Sequence, residues 1–337
     1  MPVRMKDIAR DLGVSVVTVS KVLRNHTDIS EETRKRVLQR MKELNYRPNL
    51  AARALITGRS YTVGLVVPDL LHPFFAQVAK ALSGILRQRN YSLIISSSEE
   101  DPELEKQEID HLLARRVDAI IVASAQCTPE TFRYIEEQKT PYVLIDRCFT
   151  GLAANFVGVD DVVAGTIATE HLVEQGCRHI AHIRGPEVST ALGRLAGYTQ
   201  ALEKAGLEAA PGHVISCISG DDRGDVGGFQ AARKLLACDP LPDGVFCYND
   251  PVAMGAMRAI LHAGLRIPQD IAVVGCGNLL YADFLRVPLS SIDQSSQAIG
   301  DRSAALALAL IEAKTPPPAE SVLVTPKLVP RASSLRR

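Results

Sequence analysis

The sequence predicts two structural parts: a small all-α head, and a larger α/β core of two lobes that each contain a doubly wound parallel sheet. Apolar side chains recur at helical spacing over the first 47 residues. From residue 61 onward, runs of β-branched residues alternate with helical patterns, a rhythm typical of parallel βαβ units. A break near Asp160 divides these runs into two similar halves, which favours two lobes with a cleft between them.

Three short helices are expected in the head. Gly13 lies between the first two at a position suited to a positive φ, and Ser15 offers an N-cap oxygen to the second helix, a spacing typical of a helix-turn-helix. Ser30, followed by two glutamates, predicts the start of the third helix. The three apolar faces consist of Ile8 and Leu12; Val19, Val22 and Leu23; and Val37, Met41 and Leu44.

The segment after the head is a candidate hinge. Pro48 ends the head, and residues 49–58 form a helix-capable stretch that stops at Gly58. Because so short a helix is marginal in water, we expect it to become ordered only when it meets a partner.

The core contains eight candidate strands and one shorter run. The strands lie at residues 62–67, 92–96, 119–123, 142–145, 180–184, 214–216, 244–247 and 271–275, and the shorter run at 156–159. Polar residues follow several strands: Asp69, then Asp146 and Arg147, then Asn249 and Asp250. Because ligands of doubly wound folds bind at the carboxyl ends of strands, these side chains are candidates to face a ligand.

Charge is unevenly distributed, although the formal net charge is zero. Residues 1–60 contain 13 Lys and Arg against 6 Asp and Glu, whereas residues 61–337 contain 25 against 32. A basic head on an acidic core suggests that the head meets a polyanion. A solvated basic surface without a partner is the alternative that composition leaves open.

Several protein classes are disfavoured. The longest apolar run, residues 304–311, is too short for a membrane span, and the amino terminus lacks the apolar centre of a signal peptide. The seven cysteines are scattered without a C-x-x-C pair, which argues against disulfides and a zinc site and leads us to expect a cytoplasmic location. No nucleotide-binding or hydrolase motif is present, and His179 and His182 would lie on opposite faces of one strand, so we expect no enzyme activity.

Short motifs follow one another along the chain in a specific order. In the head they are Lys6-Asp7-Ile8-Ala9, Gly13-Val14-Ser15, Thr18-Val19-Ser20 and Glu43-Leu44-Asn45-Tyr46 with Pro48-Asn49. In the core they include Val63-Gly64 leading to Pro68-Asp69, His72-Pro73-Phe74-Phe75, Ile145-Asp146-Arg147, Arg194 with Gly197-Tyr198, Asn249-Asp250 and Ser291-Ile292-Asp293-Gln294. Together, over residues 3–330, they resemble the LacI/GalR family of bacterial transcription regulators. The resemblance implies a helix-turn-helix domain, a hinge helix, and a dimerising core that is similar to periplasmic sugar-binding proteins and binds a small effector.

The resemblance implies that the second helix of the head faces the major groove of DNA. There Val16 and Val17 would touch thymine methyl groups and select the operator, while polar neighbours such as Lys21 would contact phosphates or a base. The alternative for the valines is additional core packing, and for Leu55, the implied minor-groove wedge, it is linker packing. The implied DNA-binding positions are Ser15, Val16, Val17, Thr18, Ser20, Lys21, Asn25, Thr27, Asn49, Ala52, Leu55 and Ile56.

An effector site between the lobes is also implied, at Phe74, Phe75, Asp146, Arg147, Thr190, Arg194, Asp222, Asn249 and Asn278. Core packing is the alternative for the two phenylalanines, and hydrogen bonding between the lobes is the alternative for the polar side chains. Two departures from the family pattern put a standard hexose effector in doubt. Gly277 stands where many relatives carry a carboxylate, and Gly220-Asp221-Asp222 stands where some relatives carry an aromatic residue.

The prediction is a DNA-binding transcriptional repressor controlled by a sugar or sugar derivative, with no cofactor and no metal. Its expected partners are palindromic operator DNA, the effector and a second copy of the chain, and not a membrane. A solute-binding protein and an α/β sugar-processing enzyme are the alternatives. Residues 329–337 are too short for a tetramerising heptad extension, which favours a homodimer. The predicted domains are a DNA-binding domain at 1–47, a hinge at 48–59 and a core at 60–330, with a first lobe at 60–160 and 291–320, a second lobe at 161–290 and 321–330, and a tail at 331–337.

Overall fold

A computed structural model describes residues 3–23, 26–47, 54, 57–217, 224–315 and 317–336. It contains two compact units, residues 1–60 and 61–337. Six of the predicted site positions lie outside the described residues: Asn25, Asn49, Ala52, Leu55, Ile56 and Asp222.

The first unit contains the three predicted helices, α1 (Met5–Leu12), α2 (Val16–Leu23) and α3 (Glu31–Glu43). Gly13 has a φ of +64° after α1, as expected for the residue that ends the helix. The hydroxyl of Ser15 accepts a hydrogen bond from the amide of Thr18 at 3.0 Å, and Ser30 caps α3. The buried core of this unit is formed by Ile8, Ala9, Val19, Val22 and Val37.

The first lobe of the second unit is built on a six-stranded parallel sheet. Its elements are β1 (Thr62–Val67), α4 (Pro73–Gln88), β2 (Ser92–Ser97), α5 (Pro102–Ala114), β3 (Ala119–Val122), α6 (Glu130–Glu137), β4 (Tyr142–Ile145) and β5 (Phe156–Val159). The sixth strand is β11 (Ser321–Val324), and the strand order is β11-β5-β4-β3-β1-β2.

The second lobe also contains a six-stranded sheet. In chain order its elements are α7 (Asp161–Glu174), β6 (Ile180–Arg184), α8 (Ser189–Lys204), β7 (Val214–Ser216), α9 (Gly224–Leu235), β8 (Gly244–Cys247), α10 (Asp250–His262), β9 (Ala272–Cys276), a 3₁₀ turn (Ala282–Phe284), β10 (Ser290–Asp293) and β12 (Lys327–Val329). The strand order is β12-β10-β9-β8-β6-β7, and the terminal strand β12 is antiparallel to β10.

Both faces of the first sheet are buried, which makes it doubly wound as the apolar runs predict. Val63, Leu65 and Val67 of β1 share one hydrophobic core with α4 and with α11 (Ser296–Glu312). Val66 points to the opposite face and packs with α5 and α6. A strand buried on both sides must be apolar throughout, as β1 is.

The structure corrects the predicted lobe boundaries. Residues 321–324 were expected in the second lobe, but β11 pairs with β5 of the first sheet, where Val322 and Val324 pack against its core. Residues 291–293 were expected in the first lobe, but they belong to β10 and pair with β9. The chain returns to the first lobe only at α11. Each of these short strands therefore pairs with the sheet strand that the preceding segment brings next to it.

The described part of the predicted tail, residues 331–336, is not free, which is a second correction. The hydroxyl of Ser333 donates to the carbonyl of Val273 at 2.6 Å and accepts from the amide of Ser290 at 2.8 Å. Ser333 and Ser334 are fully buried. Buried hydrogen bonds therefore attach this segment to β9 and to the start of β10 in the second sheet.

Candidate functional site

The second helix of the head presents two apolar side chains to solvent. Val16 and Val17 are 43% and 60% exposed, whereas Val19 and Val22 on the other side of α2 are buried. The first pair therefore adds little to the core, which was the alternative to a role in base contact. Exposed methyl groups on a short helix of a basic domain are suited to contact thymine methyl groups in a major groove.

The polar residues of this helix are partly engaged within the head. Lys21 forms an ion pair with Asp28, and the hydrogen bond from Lys21 lowers the pKa of the Asp28 carboxyl. Ser15 also contacts the Thr18 hydroxyl at 2.9 Å, and Thr27 is exposed. Ser20 is half-buried. The sequence did not predict the role of Asp28. It lies seven residues after Lys21, beyond the end of α2, where helical spacing gives no indication of contact.

In the core, the polar ends of both sheets meet. Asn249, which follows β8 of the second lobe, places its side-chain amide 3.3 Å from Nε2 of His72, which precedes α4 of the first lobe. The amide of Cys148, after β4, donates to the hydroxyl of Ser189 at the start of α8, at 3.0 Å. These contacts show that the predicted polar residues after β4 and β8 lie on facing surfaces of the two lobes.

Arg147 is the buried cation on the first-lobe side. Its guanidinium donates to both carboxylate oxygens of Glu100, at 2.6 and 2.7 Å, and to the carbonyl of Ser124 at 3.0 Å. Its Nε lies 3.9 Å from Asp146 and, within the described part of the chain, makes no hydrogen bond. Burial raises the pKa of Asp146 against the opposing effect of Arg194 and Arg147. Asp146 also has a φ of +62°, in the left-handed region of backbone conformation.

Arg194 is the buried cation on the second-lobe side. It donates to Asp161 at 2.9 Å and to the carbonyl of Tyr248 at 2.7 Å, and its guanidinium lies 4.9 Å from the centre of the Tyr248 ring. The Tyr248 hydroxyl is 2.9 Å from the hydroxyl of Thr190. Burial raises the pKa of Asp161 to about 7, although Arg194 opposes the shift. Thr190 and Arg194 therefore belong to one hydrogen-bond network, because both contact Tyr248.

The second lobe contains a carboxylate at Asp250, which was expected to face a ligand from its place after β8 but is not one of the effector positions that the resemblance implies. Asp250 is fully buried and accepts hydrogen bonds from the Ser291 hydroxyl at 2.6 Å and from the Leu279 amide at 2.8 Å. Burial raises its pKa to about 6. Asn278 is fixed beside it, because its amide donates to Ser291 at 2.9 Å and its side-chain oxygen accepts from Arg331 at 2.8 Å. Asp250 and Ser291 were present in the motifs, but only the fold brings them together.

Gly277, noted above for replacing a carboxylate, has a φ of +133°. This conformation favours glycine, so the chain path at the end of β9 is itself adapted to the absence of a side chain.

The two predicted phenylalanines lie mainly in the core of the first lobe. Phe74 and Phe75 are 3% and 6% exposed and pack edge to face with ring centres 5.1 Å apart. Phe75 also lines an apolar cavity of about 380 Å³ between α4 and β2, together with Leu93 and Ile95. The core-packing alternative therefore accounts for most of their surface, and contact with an effector stays a prediction.

No group of metal-ligating side chains occurs among the described residues. His182 is buried in the second lobe, where it stacks on Phe246 and contacts that residue's carbonyl at 3.0 Å, while His179 is exposed. Only His182 lies in β6, which begins at Ile180, so the placement of the two histidines on opposite faces of one strand is not observed. In the part of the chain that the structure describes, no helix is long and apolar enough to span a bilayer.

Comparison with known proteins identifies both units. The family described as bacterial regulatory proteins, lacI family, matches residues 4–49, and the periplasmic binding protein-like domain matches residues 169–334. The HTH-type transcriptional repressor PurR of Histophilus somni is 31% identical over 331 residues, 98% of each chain. The ribose operon repressor of Escherichia coli is 32% identical over 299 residues, which cover 88% of this chain and 89% of the repressor. The crystal structure of the Lac repressor dimer bound to operator and the anti-inducer ONPF superimposes with a TM-score of 0.86 over the whole of both chains, at 28% identity.

Proposed function

The chain belongs to the LacI family of bacterial regulatory proteins, and we propose that it represses transcription by binding an operator that a small molecule controls. The main structural support for DNA binding is the exposure of Val16 and Val17 on a helix whose other face is buried. Solvent exposure of adjacent valines costs hydrophobic free energy, which contact with DNA bases would recover.

We assign DNA binding to residues 1–47, a hinge to 48–59, and effector binding and dimerisation to the core. In the head, Ser15, Val16, Val17, Thr18, Ser20, Lys21, Asn25 and Thr27 would contact the major groove or its phosphates. In the hinge, Asn49, Ala52, Leu55 and Ile56 would contact the minor groove. Paired Leu55 side chains would open the centre of the operator, at an unstacking cost of a few kcal/mol that is offset by contacts with bent DNA.

The effector site that we propose lies between the polar ends of the two sheets. Asp146, Arg147, Arg194 and Asn249 would bind the effector, and Thr190 and Asn278 would support them. The support for a ligand is that Nε of the buried Arg147 has no hydrogen-bond partner in the described residues. A site of mixed carboxylate, amide and guanidinium groups is suited to hydroxyl-rich molecules, so we propose a carbohydrate-like effector. Phe74, Phe75 and Asp222 remain candidates for contact with the effector.

Control of DNA binding would arise from differential affinity of the effector for two arrangements of the lobes. The contacts between His72 and Asn249 and between Cys148 and Ser189 join the lobes at two points. An effector that strengthens or breaks them would change lobe closure and, in a homodimer, the spacing of the two heads. We propose a homodimer because a palindromic operator requires two heads related by twofold symmetry. Action on operator DNA also leads us to propose a cytoplasmic location.

The test is selection of operators from random duplexes, followed by gel-shift titration of the selected palindrome against its half-site and against random DNA. We expect preference for the palindrome and an affinity that falls steeply with salt, by a slope near −0.9 for each phosphate contact. A protein without residues 1–58 should stay folded and lose DNA binding. Equal affinity for palindromic and random duplexes would overturn the proposal.

A further inference from the structure

Three carboxylates, one of them partly exposed, lie beside two buried guanidinium groups in the cleft between the lobes. Two guanidinium groups, of Arg147 and Arg194, are buried there. Each already has a carboxylate partner, Glu100 for the first and Asp161 for the second. Asp146 is a third carboxylate, buried 3.9 Å from Arg147. Among the described residues of the cleft, the Arg147 guanidinium therefore has no uncompensated charge to offer.

The Arg147 and Glu100 pair is the more informative of the two. It is bidentate, with both oxygens of Glu100 within 2.7 Å of guanidinium nitrogens, the geometry in which an arginine binds a carboxylate or phosphate ligand. Glu100 comes from the turn after β2, where its φ is +57° and its amide donates to the carbonyl of Pro68 at 3.1 Å. The backbone thus holds the Glu100 carboxylate in the place that an anionic ligand would take.

The groups without partners point to a different kind of ligand. In the described residues, Nε of Arg147 and Nδ1 of His72 are buried without a hydrogen bond. Arg147 is more than nine-tenths buried. Together with the carboxylate of Asp146 they supply hydrogen-bond donors and acceptors but no surplus positive charge, which matches hydroxyl groups that both donate and accept.

We infer that Glu100 determines the specificity of this cleft, because it occupies the Arg147 guanidinium and thereby restricts the site to uncharged, hydroxyl-rich effectors. The inference rests on the proposed effector site. Phosphorylated or carboxylated analogues of the effector are rejected because they would meet the Glu100 carboxylate at the guanidinium that would otherwise bind them, and like charges repel at this distance.

The experiment compares the wild-type protein with Glu100→Gln and, as a matched control, Glu99→Gln. Glu99 is the exposed neighbour of Glu100 on the same turn, also at positive φ, so its substitution makes the same change in net charge. Inorganic phosphate is the first probe, titrated by calorimetry at constant ionic strength. We expect the affinity for phosphate to rise about tenfold or more in Glu100→Gln and to stay at the wild-type level in Glu99→Gln. Adding Arg147→Gln to Glu100→Gln should remove the gain.

The second probe is a set of matched pairs, each a neutral sugar and its phosphate or acid form, measured by thermal shift. Stabilisation of the wild type by a neutral member and not by its charged partner supports the inference. Stabilisation by the charged member overturns the inference and leaves the proposed effector site standing.

The two probes together separate the role of Glu100 from the proposed carbohydrate effector. If no sugar binds the wild type but Glu100→Gln gains affinity for phosphate, the role of Glu100 stands and the carbohydrate proposal fails. If Glu100→Gln does not gain phosphate over Glu99→Gln, the role of Glu100 is overturned. Should Glu100→Gln unfold, Glu100→Ala with the same probes serves in its place.

Discussion

The side-chain amide of Asn249 lies 3.3 Å from Nε2 of His72, so that one residue joins the two lobes and also starts a helix. The side-chain oxygen of the same residue accepts a hydrogen bond from the Val252 amide at 2.9 Å and caps α10. A single substitution at this position therefore changes both helix stability and contact between the lobes, and the two effects can be separated.

Asn249→Ala should lower the free energy of unfolding by about 0.5–2 kcal/mol, because the cap of α10 is lost. Asn249→Ser should restore most of this stability, since serine also caps, but not the contact with His72. Denaturant titration measures the first effect. Small-angle scattering of the two variants measures lobe closure, and we expect both to differ from the wild type in the same direction.

Replacing Val16 and Val17 together by alanine should change the selected operator more than the affinity for random DNA, because methyl groups read bases and carry no charge. Since both side chains are largely exposed, the melting temperature should change little. Val19→Ala, in the buried face of the same helix, is the contrasting control and should destabilise the head by roughly 1–3 kcal/mol. An unchanged consensus after selection would contradict the prediction.

Asp28→Asn should increase the affinity for random duplex DNA, because Lys21 is freed from its ion pair and a negative charge is removed near the phosphates. The dependence of log K on log salt should become steeper by about 0.9 for each freed lysine. Asp11→Asn makes the same change in charge but affects Arg40, with which Asp11 pairs at 2.6 Å. Fluorescence anisotropy over a range of salt concentrations distinguishes the Asp28→Asn and Asp11→Asn variants. Equal slopes of log K against log salt for the two variants would argue against a role for Lys21.

The buried carboxyl of Asp250 predicts a pH dependence of stability. Its pKa is about 6 in the folded protein and near 3.9 when unfolded, so the folded state binds the proton more tightly. The stabilisation is complete below pH 4 and is lost as the pH rises toward 6 and above. Asp250→Asn cannot ionise, so its stability relative to the wild type should improve by about 2 kcal/mol between pH 4 and pH 8. A difference that is constant with pH, in urea titrations, would refute this.

Leu55→Ala should weaken operator binding by a few kcal/mol, the scale of a lost minor-groove wedge, and leave binding to random DNA nearly unchanged. Leu38→Ala, at a half-exposed leucine of α3, is the control for loss of apolar surface from the head. Gel-shift titration of each variant with the selected operator and with random duplex measures the two affinities. Equal losses on both kinds of DNA would show that Leu55 acts through stability of the head.

Much of the fold follows from local patterns. The run at 62–67 is β1, and Gly13, Ser15 and Ser30 bound the helices of the head where their conformational preferences predict. The strands β10, β11 and β12 were not anticipated, because each is three or four residues long and the regular alternation of strands and helices ends before them. Residues such as Asp146 and Asn249 could be found as candidates because they directly follow apolar strands.

The sequence by itself determined the strands β1–β9, the basic head and the family, since periodicity, caps and motifs are properties of neighbouring residues. Only the tertiary structure decided that β11 joins the first sheet, that Ser333 bonds to β9 of the second, and that Glu100 pairs with Arg147 across 47 residues. The partners of edge strands and buried charged groups are the groups that folding places within a few ångströms of them, because hydrogen bonds and ion pairs act at short range. The elements of this protein are therefore encoded locally, whereas the charge balance of its cleft exists only in the assembled fold.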